Sequence, residues 1–174
     1  MSIRKIITIP DPILRQISEP VKSVDKDIKK LSEEMLETMY KAPGIGLAAV
    51  QVGVLKRVIV IDLSKKDEKK NPLCIINPEL TFKSEDLVSY EEGCLSIPKQ
   101  FAEVKRPNKC NIKYLDIKGN KKELKAEGLL ATCIQHEIDH LNGILFIDYL
   151  SKLKKDLIIK KVNKQKKEID RVIV

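Results

Sequence analysis

Histidine is scarce in this chain: its 174 residues include only two. A metal centre here cannot rest on three imidazoles, so any third protein donor has to be sulfur or oxygen. Long apolar runs are missing as well. None approaches the ~20 residues needed to span a bilayer as a helix, which excludes a transmembrane segment of that kind. The opening Met1-Ser2-Ile3-Arg4-Lys5-Ile6-Ile7 lacks the apolar h-region of a secretory signal. The expectation is a cytoplasmic protein without membrane contact. Cysteine is limited to Cys74, Cys94, Cys110 and Cys133. In a reducing compartment these read as small buried hydrophobes or a metal ligand rather than as a disulfide framework.

The net charge of +8 is unevenly placed. Residues 151–174 hold nine Lys/Arg against three Asp/Glu, a net +6, and leave +2 for the first 150. Attraction to an anionic surface is thus a property of the tail and not of the domain. DNA binding is not expected. At this length one domain is the simplest organisation, with enough chain to bury about 70% of its unfolded surface. We divide it into a catalytic domain, residues 1–150, and a basic C-terminal helix, residues 151–174, packed on it or extending from it.

The two histidines stand in Thr132-Cys133-Ile134-Gln135-His136-Glu137-Ile138-Asp139-His140-Leu141-Asn142-Gly143. Four residues apart on a helix, both imidazoles project from one face. Glu137 follows the first directly. This is the His-Glu-x-x-His pattern, two nitrogen ligands for a metal beside a carboxylate that can take a proton from the attacking water. Leu129, Leu130, Cys133, Ile134, Ile138 and Leu141 recur at roughly helical spacing, between a break at Gly128 and a stop at Gly143. Asp139 lies on another helical face, and Glu127 precedes the helix. The third donor is therefore a cysteine or a carboxylate from elsewhere in the chain. Cys94 is one candidate, in a short irregular segment between Gly93 and Pro98.

Gly44, Gly46 and Ala49 match Gly-x-Gly-x-x-Ala, the dinucleotide-binding fingerprint, but the context is wrong. The fingerprint follows a strand and opens a helix; here it follows a helix and leads into strand-like residues. Close approach of a ligand to the glycine backbone is the better reading. Gln51 is the one polar side chain of this apolar run, and a buried amide needs partners. Elsewhere, residues 25–40 predict an amphipathic helix with Ser23 or Asp25 as N-cap. Residues 3–9, 56–62, 73–82 (interrupted at Asn77-Pro78), 86–90, 102–105, 110–116 and 121–125 predict strands. A two-residue turn is expected at Gly119-Asn120. Leu150, Leu153, Leu157, Ile158 and Val162 predict a tail helix whose first turns pack on the domain. The order gives an α+β fold, with antiparallel or mixed sheets around a central metal-binding helix flanked by an N-terminal and a C-terminal helix.

Taken together, Gly44-Ile45-Gly46-Leu47-Ala48-Ala49-Val50-Gln51, Glu92-Gly93-Cys94-Leu95-Ser96 and Gln135-His136-Glu137-Ile138-Asp139-His140 resemble the motifs of the peptide deformylases. Pro10-Asp11-Pro12-Ile13-Leu14-Arg15 resembles that family's opening segment. The resemblance implies that Cys94, His136 and His140 bind one divalent metal and that Glu137 is the general acid/base. It also implies an oxyanion site from the Gln51 side chain and the Leu95 backbone N–H. Ile45, Gly46, Leu129 and Cys133 would line or flank a methionine pocket. The implied ion is Fe(II), with Zn(II), Ni(II) or Co(II) suiting the same donors. The implied reaction removes formyl from the N-terminal formyl-methionine of nascent peptides. Phe101 departs from the pattern, since many relatives carry Arg or Tyr there, and this bears on how the peptide beyond methionine is held.

Two other readings compete. A His-Glu-x-x-His metalloprotease would need a ligand downstream of the helix, for which Asp148 and Glu168 are the formal candidates. An RNA- or ribosome-binding protein with a structural metal would use the basic tail, but a structural zinc site wants a fourth protein ligand. Tail and enzyme can also coexist, the tail docking a monomeric enzyme at the ribosome where its substrate emerges.

Overall fold

The computed structural model describes residues 2–65 and 67–172. Helix α1 (Lys26–Lys41) begins at Asp25, whose carboxylate accepts from the N–H groups of Asp27 and Ile28, both at 3.0 Å. That satisfies two of the orphan donors of a first helical turn. Seven strands follow: β1 (Gly46–Ala48), β2 (Val58–Ile61), β3 (Leu73–Lys83), β4 (Leu87–Cys94), β5 (Ile97–Pro107), β6 (Lys109–Leu115) and β7 (Lys121–Glu127). Helix α2 (Gly128–Leu141) and helix α3 (Lys152–Val172) complete the α+β order expected.

Five strands form one sheet in the order β1-β2-β3-β6-β7, and β4 and β5 form a separate long hairpin. All pairings within both sheets are antiparallel. Strand β2 shows why the layers stack as they do. Its four residues are β-branched, and its side chains alternate between faces. Val58 and Val60 pack with Leu31, Met35 and Met39 of α1; Ile59 and Ile61 pack with Ile134, Ile138 and Leu141 of α2. The sheet is therefore sandwiched between the two helices. Each side chain of this kind, once fully buried, contributes roughly 1.5–3 kcal/mol by leaving water.

Several boundaries differ from those the sequence suggests. Residues 3–9 form no strand: they run extended, with Ile7 N–H donating to Gln51 O at 2.8 Å and Ile9 N–H to Ser96 O at 2.9 Å. These bonds go to two different elements, so no ladder forms. Asn77, in the left-handed region at φ 52°, does not end β3; the strand continues past it through a register shift. Residues 49–52 are a 3-10 turn rather than strand, closed by Gly53 at φ 81°. The connection between β6 and β7 is a five-residue loop, 116–120, because Asp116 accepts from the N–H groups of Lys118 and Asn120 at 2.9 Å each. The two-residue turn is instead Leu95-Ser96, between paired Cys94 and Ile97. Strand β4 thus runs to Cys94, and the expected irregularity is a register shift between Gly93 and Cys94 at the strand end. The charged 64–71 loop is described except for Lys66, which lies outside the described residues.

A third apolar cluster joins Ile9 and Leu14 to Ile97, Val104, Phe146, Ile158 and Val162. It seats α3 on the β4–β5 hairpin. Of the apolar residues expected to pack, Ile158 in the second turn, Val162 and the preceding Leu150 do so, while Leu153 is 72% exposed and Leu157 49%. Polar contacts reinforce that end. Asp148, in the 3-10 turn Phe146–Tyr149, pairs with Arg15 and, at 2.5 Å, with Lys155 of α3. Gly143 (φ 72°) lets Arg15 pass, because a Cβ there would collide with the Arg15 backbone. Residues 173 and 174 of the tail lie outside the described residues.

Burial alone would raise the Asp148 carboxyl. Bonds from Arg15, the Leu145 N–H and Lys155 outweigh it and bring the pKa down to about 2. A group depressed in the folded state stabilises the fold above its unfolded pKa, near 3.8, and that stabilisation is lost as pH falls through about 2. Unfolding free energies measured in urea should therefore decline between about pH 4 and about pH 2. Asp148→Asn should be less stable at neutral pH and show a shallower decline over that window. An unchanged slope would show that this carboxylate does not anchor the tail.

Candidate metal centre and active site

Helix α2 brings His136 and His140 onto one face, and the β4–β5 turn brings Cys94 to meet them. The three donor atoms lie within 4.8 Å of one another. Cys94 Sγ is 3.2 Å from His140 Nε2, and the two rings meet edge-on, their centroids 5.0 Å apart. His136 Nδ1 lies 2.8 Å from a Glu92 carboxylate oxygen, so an Nδ1–H donated there leaves Nε2 as a lone-pair donor toward the centre. One thiolate and two imidazoles suit a single divalent ion and leave a position open for substrate or water. The residues present fit such an ion.

Glu92 is thus the carboxylate placed to orient His136. Asp139 instead accepts from Arg106 Nη1 at 2.7 Å and from the Tyr149 hydroxyl at 2.8 Å. Arg106, 3% exposed, also donates to both Glu92 oxygens, from Nε at 2.6 Å and Nη2 at 3.0 Å. Burial would raise Glu92, but His136 and Arg106 hold its carboxyl below its ordinary value. Sequence reasoning did not single out Arg106 or Tyr149. A usable signal existed: Arg106 follows Ala102 and Val104 at period two, a charge on the inward face of a strand.

Glu137 lies beside the donors, 4% exposed, with Oε2 lacking any hydrogen-bond partner among the described residues. Burial, with the Glu92 charge adding and His136 opposing, pushes its carboxyl up to about 7. A bound cation would draw it down again. Gly46 has to be glycine, since a Cβ would strike the Glu137 carboxylate and crowd Cys133 Sγ at 3.0 Å. Gln51 is held at both ends of its amide. Oε1 accepts from Ala48 N–H at 2.8 Å, and Nε2 donates to Ser96 Oγ at 3.0 Å, 3.5 Å from Cys94 Sγ. Ser96, overlooked in the sequence, thus fixes the amide beside the centre.

A cavity of about 800 Å³ opens over these groups. Ile45, Gly46, Gln51, Cys94, Leu95, Leu129, Cys133, His136 and Glu137 all line it. His140, 1% exposed, stands behind them. Ile45 and Leu129 are partly exposed, while Cys133 is buried. Phe101 is 64% exposed beside the cavity, and its ring leans on Gly93, where a Cβ would sit 2.5 Å away. The downstream carboxylates that a protease reading needs are engaged elsewhere: Asp148 with Arg15 and Lys155, Glu168 4.0 Å from Lys164.

Residues 3–156 match the family described as polypeptide deformylase. The chain belongs to the peptide deformylase family. It is 58% identical over 174 residues to a peptide deformylase of Pelagibacter ubique (strain HTCC1062), covering 100% of both chains. Its fold is similar to the crystal structure of peptide deformylase from Ehrlichia chaffeensis. The TM-score is 0.92 at 46% identity, covering 96% of this chain and 98% of that one. The same Ehrlichia protein in complex with actinonin matches at TM-score 0.91 and 48% identity, over 95% and 98% of the two chains. Deformylases are hydrolases, and the three-donor cluster accords with one metal ion per chain.

Removing the carboxylate behind His136 should loosen the ion. Glu92→Gln is expected to weaken metal affinity roughly 10–100-fold in a chelator competition titration. Unchanged affinity would show that the His136–Glu92 contact does not orient the ligand.

Proposed function

We propose that this chain removes the formyl group from the N-terminal formyl-methionine of newly synthesised polypeptides, releasing formate. The observation that carries the reading is the meeting of Cys94, His136, His140, Glu137 and Gln51 at one end of one cavity, in a chain of the deformylase family. Bound to Cys94, His136 and His140, a divalent ion supplies Lewis acidity, acidifying water and polarising a carbonyl oxygen. Glu137 takes the proton of the attacking water and returns it to the leaving amine. Its Oε2, without a hydrogen-bond partner among the described residues, suits both steps. Gln51 Nε2, pre-oriented by Ala48 and Ser96, donates with the Leu95 N–H to the oxyanion that develops on the formyl oxygen. The substrate's first side chain enters between Ile45, Gly46, Leu129 and Cys133, and Phe101 meets the residues beyond it.

The ion proposed for the working enzyme is Fe(II), as the motif resemblance implies. Zn(II), Ni(II) and Co(II) suit the same donors. One chain supplies all of these site residues, so the reading needs no partner copy, and we propose a monomer acting in the cytoplasm, where formylated chains are made. Residues 1–150 would then be the catalytic unit and the tail helix an accessory.

Formate release from formyl-Met-Ala-Ser by protein loaded anaerobically with Fe(II) or Ni(II) tests the reading. Glu137→Gln should retain metal and lose roughly 10²–10⁴-fold in kcat. Cys94→Ser should lose metal affinity. Normal turnover by Glu137→Gln, or cleavage of internal peptide bonds in place of formate release, would overturn it.

A partner for the tail follows from its exposed charge. Lys160, Lys161 and Lys164 are exposed on α3, while Ile158 and Val162 hold the helix to the domain. We propose that this basic face docks the enzyme on the anionic surface of the ribosome. Reversing the three charges (Lys160→Glu, Lys161→Glu, Lys164→Glu) should abolish salt-sensitive co-sedimentation with ribosomes while leaving formate release intact. Undiminished co-sedimentation would remove the tail from the interaction.

A further inference from the structure

Thr132 brings a hydroxyl to the stretch of cavity wall where Leu129 and Cys133 stand. It stands on α2 between Leu129 and the donors, lines the cavity, and is only 3% exposed. Its hydroxyl is buried with no hydrogen-bond partner among the described residues. A helical threonine or serine usually answers this by donating to the carbonyl four residues back. Two residues of α1 do so: Ser32 Oγ donates to Ile28 O at 2.9 Å and Thr38 Oγ1 to Glu34 O at 2.6 Å. Thr132 does not. A buried, unsatisfied hydroxyl costs free energy until something supplies an acceptor.

The position says what that acceptor would be. Thr132 precedes His136 by one turn, about 6 Å along the helix axis. On the deformylase reading the first side chain enters beside Leu129 and Cys133, which flank Thr132 on α2 and line the same cavity. Three side chains around it leave that hydroxyl unpartnered. Ile45 and Leu129 are apolar, and the Cys133 thiol, which burial holds protonated, points to the Ile45 carbonyl at 4.0 Å. Threonine on a helix populates two χ1 wells, so its hydroxyl can turn to the cavity and give up no hydrogen bond. The group that arrives is a thioether, whose sulfur is a weak acceptor.

Resting on the deformylase reading, we propose that the Thr132 hydroxyl donates to the methionine sulfur, so that the cavity recognises the thioether itself and not only an unbranched chain of the right length. Norleucine, with a methylene in place of sulfur, is the discriminating probe. The metal-loaded wild type should prefer formyl-Met-Ala-Ser to formyl-norleucyl-Ala-Ser in kcat/KM. Thr132→Val, which keeps the shape without the hydroxyl, should lower that preference roughly two- to fivefold, the worth of one weak neutral hydrogen bond. Thr132→Ser should retain it. Calorimetric binding of Met-Ala-Ser against norleucyl-Ala-Ser, which involves no turnover, should show the same loss in Thr132→Val. A wild-type ratio near one, or equal ratios in wild type and Thr132→Val, would overturn this inference alone. No formate from either peptide would overturn the deformylase reading and the inference with it.

Discussion

A buried arginine holds the active site of this protein together. Arg106 reaches from β5 to Glu92 on β4 and to Asp139 on α2, and Glu92 carries the charge-assisted contact on to His136. A guanidinium taken out of water is tolerable only when its donors are met by carboxylates in good geometry. That requirement fixes the distance between hairpin and helix. It follows that Cys94, two residues beyond Glu92, arrives at the same place each time the chain folds. The value of this network lies in geometry more than in stability, since buried ion pairs contribute little net free energy against apolar replacements.

The apolar layers do the complementary work. Strand β2 is buried on both faces, and α2 rests on one of them through Ile134, Ile138 and Leu141. A helix so clamped cannot rotate its His-Glu-x-x-His face away from the cavity. Gly46 and Glu137 mark the tightest point, where β1 passes so close to the carboxylate that no side chain fits. The result is a buried set of donors, among which charges act more strongly than they would in water.

Much of the chemistry was legible because it is local. His136, Glu137 and His140 share one helix, and helical spacing alone puts both imidazoles on a common side. Gln51 stood out as a lone amide in an apolar run, and a buried amide does need the partners that Ala48 and Ser96 provide. Errors clustered where local pattern and tertiary contact disagree. Apolar residues 3–9 suggested a strand, yet the segment spends its hydrogen bonds on a turn and a hairpin. Of the five apolar residues that predict packing of the tail, Leu150, Ile158 and Val162 join the third cluster, whereas Leu153 and Leu157 stay exposed and Asp148 serves as a polar anchor. Arg106 lies one residue beyond the strand that local pattern predicts, 102–105, and only the full length of β5 puts it on the inward face.

By itself the sequence determined the α+β order of elements, the helix that carries both histidines, the carboxylate beside them and the membership its motifs suggested. Those properties depend on residues close together in the chain, where backbone geometry alone sets which side chains share a face. Tertiary structure decided which sulfur joins the two histidines, that Glu92 and not Asp139 orients His136, and that a threonine hydroxyl stands unpartnered in the cavity. Each of these depends on contacts across tens of residues, between 92 and 136 or 94 and 140, and spacing along a chain carries no record of such distances until the hairpin and the helix have packed.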